Sequence, residues 1–196
     1  MTPARTPMHL RLVRCARLHA DTYEEVEADH TAIGQAFLVV VVAAVAATVG
    51  GWLETFTWHA GGYESAFALG LELAARAIEP VLFWLGGAAF AYMVGSSFFR
   101  GPETETDYAE VLRTTGFAFA PGWLACLVFV PPAGLGTGVL WLVRLWTLLA
   151  FTIAVRQALD FTTGRAIGTV VFGWAIGWLV MWGAVSVTLQ LLDLLG

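Results

Sequence analysis

Apolar positions in this chain come in long blocks separated by short polar intervals. A helix crossing a bilayer core about 30 Å thick needs about 20 apolar residues, since each residue rises about 1.5 Å. Five stretches reach that length: 32–53, with the run LVVVVAAVAATVGGWL, then 78–99, 108–130, 135–155 and 166–189. The pattern predicts an all-α, polytopic integral membrane protein with five transmembrane helices. An amphipathic stretch, ESAFALGLELAARAIEP, leads into the second. Pro80 and Pro121 fall inside the second and third, where a missing N–H breaks a helical hydrogen bond, so each is expected to kink its helix and free a carbonyl.

Composition agrees. The 196 residues are 58% hydrophobic and 13% charged, with mean hydropathy +0.73, well outside the range of soluble domains. The chain divides into a polar N-terminal segment, 1–31, and a membrane region, 32–196. A net charge of −5, with no basic stripe to follow a phosphate backbone, argues against nucleic acid. All ten basic residues are arginine, as GC-rich coding would produce, which points to a prokaryote and its inner cell membrane. Cys15 and Cys126 sit in the N-terminal segment and in an apolar run, so no disulfide framework is implied. The first twenty residues hold Arg5, Arg11, Arg14 and Arg17 and no uninterrupted apolar core, unlike a signal peptide.

Arginine placement sets the orientation, because short basic loops stay in the cytoplasm. The N-terminal segment, the interval with Arg100 and Arg113, and the turn with Arg156 and Arg165 are basic. The stretch PPAGLGTG and the interval 54–70 carry no basic residue. The N-terminus is therefore expected inside and the C-terminus outside.

Arg11, Arg14 and Arg17 recur every third residue, with Met8, Leu12, Val13 and Ala16 mostly opposite. Such a helix can lie on the inner membrane surface with its arginines among anionic head groups. Asp21 or Thr22, followed by Glu24 or Glu25, supplies an N-cap signature for a second short helix.

Signs of catalysis are thin. His9, His19, His30 and His59 have no metal-site spacing, and there is no GxSxG, Walker loop or dinucleotide fingerprint. No enzyme, metal or cofactor is expected. Packing signals are stronger: Gly164 and Gly168, then Gly173 and Gly177, are spaced four apart, as are Ala46 and Gly50, and Gly87, Ala91 and Gly95. Small residues at that spacing let helices approach, within one chain or in a homo-oligomer. Trp174, Trp178 and Trp182 form a neighbouring stripe suited to filling gaps or facing lipid.

One charge stands out. Arg144 lies near the middle of the fourth apolar run, where a lipid-facing arginine costs about 2.5–3.5 kcal/mol. It needs a partner, and Glu79 is the expected one, since Glu72, Arg76 and Glu79 share one side of a helix. Glu54 and Asp193 are further candidates nearer the surface. The pair is expected to act as a structural clamp, or else to belong to a polar path or cavity in a small transporter, channel or lipid-handling protein.

The stretches DYAEVLRTTGFAFAPGWL, PPAGLGTG and VRLWTLLAFTIAVRQALDFTTGRAI together resemble the Yip family, membrane proteins that interact with Ypt/Rab GTPases. Arg113, Gly116, Phe117, Pro121, Trp146, Arg156, Gly164, Arg165 and Ala166 carry the likeness, and TYEEVEADHTAIGQAFLVV resembles prokaryotic members. The resemblance implies five spans, a cytoplasmic N-terminus, and membrane-organising or adaptor work with protein partners at the cytoplasmic face. Eukaryotic members add vesicle traffic and GTPase binding. With only about thirty residues before the first span, the long N-terminal domain of those members is missing here, and GTPase binding is not carried over.

Overall fold

The computed structural model describes residues 6–58, 65–98, 107–129, 135–173, 175–176 and 179. Helices joined by short turns make up nearly all of these residues, with no strand among them. Two short helices, α1 (Met8–Ala16) and α2 (Ala20–Ala28), precede the long α3 (Ile33–Trp58) and α4 (Ala66–Ser97). Next come α5 (Tyr108–Phe117), a 3-10 helix (Ala120–Phe129), α6 (Leu135–Ala158) and a helical stretch over 163–173, called α7.

Among the described residues three helices are long and apolar enough to cross a membrane, His30–Thr57, Ala66–Ser97 and Leu135–Ala158; α5 and the 3-10 helix form a fourth span if counted as one, bent by 41°. The expected fifth span is helical over 163–173, 175–176 and 179, whereas Gly177 and the Trp174, Trp178 and Trp182 stripe lie outside the described residues.

Two expected spans differ in shape. The second begins twelve residues earlier than its apolar run, at Ala66, because the amphipathic approach is part of the same helix. Ser65 starts it by accepting the Ala68 N–H at 3.1 Å. Pro80 sits inside that helix without ending it. The third span is broken instead. Asp107 and Glu110 close a capping box at the start of α5, and α5 stops at Phe117, the residue whose carbonyl a proline four positions later would strike. Pro121 is that residue, and the chain tightens into a 3-10 helix around it.

Contacts between helices set the topology. Ala36 lies against Gly116 and the Trp123 indole N–H donates to the Val39 carbonyl at 3.1 Å, so α3 and the α5/3-10 pair run in the same direction. Phe37 meets Trp84 while Glu54 meets Arg76, so α4 runs against α3. Glu79 meets Arg144, Gly87 meets Phe151 and Gly95 meets Leu159, so α6 runs with α4. The core between them holds Phe117, Phe119, Phe151 and a run of alanines and valines.

Lipid removes most of the hydrophobic drive between helices, so close approach depends on small residues. A Cβ on Gly136 would lie 1.7 Å from the Val128 carbonyl oxygen, and one on Gly50 would lie 2.3 Å from that of Ala125. Glycine alone lets α3 and α6 touch the 3-10 helix backbone. The fifth-span glycines are looser: Gly164 has nothing within 4 Å of its Cβ position, Gly173 meets Phe90 at an ordinary 3.4 Å, and Gly168 is half-buried. Gly164 therefore makes no close helix contact among the described residues, because it stands on the exposed side of the first turn of α7.

Candidate functional site

Two polar constructions interrupt this apolar bundle. The first is a charged cleft of about 240 Å³ between α3, α4, the 3-10 helix and α6. Arg144 of α6 projects into it, its Nη2 donating to both carboxylate oxygens of Glu79 at 3.0 and 3.4 Å. Among the described residues no backbone carbonyl accepts from Arg144. The other neighbour is the Trp141 ring, 5.8 Å from the guanidinium carbon, within cation–π range.

Glu79 stands one helical turn from Arg76, which also lines the cleft. Arg76 donates to Glu72 through Nε at 3.1 Å and Nη2 at 2.8 Å, and reaches Glu54 of α3 at 3.5 Å. Gly51 makes the space, since a Cβ there would fall 2.7 Å from the Arg76 side chain. Five charged groups thus gather where the sequence singled out one pair. Glu54, considered as a partner for Arg144, pairs with Arg76 instead, and the signal for Arg76 was its i, i+4 spacing from Glu72.

The second construction is the N-terminal cap. Arg11 does not face head groups as its spacing suggested; it is 2% exposed. Its Nη2 lies 2.8 Å from Glu25, its Nη1 2.9 Å from Asp29 and 3.4 Å from the Gln35 amide oxygen. Glu25 of α2 and Asp29 at its C-cap converge on Arg11, and burying a guanidinium is tolerated only with such partners. Burial opposes ionisation of Glu25, but hydrogen bonds from Arg11 and Thr6 outweigh it and hold the carboxyl below its usual range. Arg14 and Arg17 are exposed, so the outer stripe of α1 reads Leu10, Val13, Arg14, Arg17. The arginine period of three specified neither face.

The turn between α1 and α2 is a Schellman motif, with His19 N–H bonded to the Arg14 carbonyl, Leu18 N–H to that of Cys15, and Leu18 in the left-handed region at φ 65°. His19 is the N-cap of α2 and makes no side-chain cap, so Asp21 falls in the first turn. Below the turn, the Tyr23 hydroxyl donates to the Cys15 carbonyl at 3.1 Å, and burial pushes the Cys15 thiol up to about 12, an inert packing group.

Besides the Arg11–Gln35 bond to α3, three long-range bonds fasten the cap to α5 and α6. The Trp146 indole donates to the Ala16 carbonyl at 2.7 Å, the Gln157 amide to Glu24, and Arg113 Nη2 to the Glu27 carbonyl at 2.8 Å. Arg113 is nearly fully buried and its Nε finds no partner among the described residues. The Glu27 carboxyl is pushed up to about 7 by burial first, then by Asp160, Glu110 and Glu24. No group of three or more metal-ligating side chains gathers among the described residues.

A helical bundle whose spans are apolar outward and which carries charged side chains in register within them is a multi-pass membrane protein. The family model of the Yip1 domain matches residues 19–185, and the chain belongs to the Yip family. No curated protein and no solved structure matches it.

Proposed function

We propose that this Yip-family chain is a non-enzymatic membrane scaffold or adaptor that presents its α1–α2 cap to protein partners at the cytoplasmic face. The carrying observation is that the cap is rigidly docked. Arg11 is sealed between α2 and Gln35, and Trp146, Gln157 and Arg113 reach it from α5 and α6. A preorganised surface binds at lower entropic cost than a loose tail. In this reading residues 1–31 form the recruiting segment, 32–196 the membrane domain, and the orientation is N-terminus inside. Arg14 and Arg17, with Leu10 and Val13, rest on anionic head groups, and Asp21 and His9 stay open to a partner.

Native extraction into polymer nanodiscs followed by mass spectrometry tests this. A stoichiometric protein partner retained by the wild type and lost from Arg17→Glu/Asp21→Arg supports the adaptor. A partner indifferent to both changes removes the cap from the interaction. Recovery of lipid alone favours a lipid-handling protein built on the charged cleft.

A further inference from the structure

The charged cleft has the donors, the charge and the surroundings of a site for an amine-bearing phospholipid. Arg144 has five N–H donors. Among the described residues its hydrogen bonds all leave from Nη2, so Nε and Nη1 make none. The Arg144 and Glu79 side chains are 48% and 59% exposed. At about 1.5 Å per residue Arg144 lies about 14 Å from one end of α6 and about 21 Å from the other. At that depth an open ion pair cannot rest against hydrocarbon, since each charge would cost kilocalories.

The flanks and the net charge narrow the occupant. Ile78 and Leu82 stand exposed beside Glu79, and Trp141, Leu142 and Leu145 stand exposed beside Arg144, so the cleft opens onto an apolar surface fit for acyl chains. A soluble phosphate would leave that surface unused. Glu54, Glu72 and Glu79 outnumber Arg76 and Arg144 by one, which disfavours a purely anionic head group. A head group carrying phosphate and ammonium together satisfies both signs. We propose that the cleft binds phosphatidylethanolamine, its phosphate on Nε and Nη1 of Arg144, its ammonium on the carboxylate of Glu79, and its chains along α4 and α6. This does not rest on the adaptor proposal.

The test uses the full chain in vesicles of phosphatidylcholine with a minor component of a photoactivatable phosphatidylethanolamine carrying its reactive group on the first carbons of one acyl chain, so that the phosphate and ammonium stay free. Crosslinks should concentrate on peptides containing Glu79 and Arg144. They should fall about tenfold or more in Arg144→Gln, as loss of charge-assisted hydrogen bonds requires, and similarly in Leu140→Trp, which fills the cleft and keeps every charge. Helicity and thermal transition identify a variant that fails to fold, and Leu140→Trp then decides. Unlabelled phosphatidylethanolamine should compete better than phosphatidylglycerol. Crosslinks spread evenly over the apolar belt, or unchanged in folded Leu140→Trp, overturn the site. Equal competition by phosphatidylglycerol overturns the amine requirement, and equal competition by free phosphoethanolamine overturns the lipid.

Discussion

The Trp146 indole N–H lies 2.7 Å from the Ala16 carbonyl, 130 residues earlier in the chain. One hydrogen bond thereby ties the last turn of α1 to the middle of α6. Trp146→Phe keeps most of the ring and removes the donor, at a cost of about 0.5–1.5 kcal/mol. Amide hydrogen exchange over 8–17 should quicken by roughly threefold to tenfold, with the α3–α4 contact unchanged. Unaltered exchange would show that α1 is held by packing alone.

Arg11 carries more. Arg11→Met removes the guanidinium from beside the Asp29 carboxylate, 7% exposed, and the part-buried Glu25. Removing one partner of a buried ion pair costs about 3–5 kcal/mol, and the exposure of Glu25 places this case near the lower end. Thermal unfolding in detergent should drop accordingly and residues 6–32 should become protease-sensitive. Adding Glu25→Gln should return part of the loss, and a purely additive double variant would sink the pairing.

Glu27 makes the cap sensitive to pH. With its folded value near 7 and its ordinary value 4.5, the carboxyl favours folding fully below 4.5. Between 4.5 and 7 the unfolded chain ionises first and that stabilisation is lost, after which it stays flat. Glu27→Gln should abolish the fall and leave the cap more protected than wild type at pH 8, read by hydrogen exchange in α2. Asp160→Asn, which keeps a residue tolerant of the left-handed φ of 49° there, removes a neighbouring negative charge and should move the midpoint down. A midpoint that ignores Asp160 would separate the two groups. Glu25 acts in the opposite sense, its stabilisation fading as pH falls through its lowered value.

Gly136→Ala tests the approach of α6 to the 3-10 helix. Its methyl would meet backbone, which cannot swing away, so overpacking should cost about 1–3 kcal/mol. Gly164→Ala, in open space, should be neutral or slightly stabilising on helix propensity. Equal thermal shifts for the two would contradict the helix contacts described above.

Much was legible in the sequence by itself. In lipid the backbone must satisfy its own hydrogen bonds, so long apolar runs dictate helices and an all-α membrane protein. Arg144 and Glu79 could be matched because charges deep in such runs are few and each must find another. The likeness to the Yip family rested on the stretches 107–124, 131–138 and 143–167, with 22–40 beside them, all within the part that the family model spans. The tertiary structure decided the rest. Spacing orders Arg11, Arg14 and Arg17 around a helix but cannot say which side is inward; that was settled when α2 folded back and brought Glu25 and Asp29 to Arg11. The Glu54–Arg76 contact needed α3 and α4 side by side, and the seat for Arg76 needed Gly51 opposite it. Helix formation is local and is written in neighbouring residues, whereas a charge's partner and a glycine's neighbour depend on distant segments arriving together.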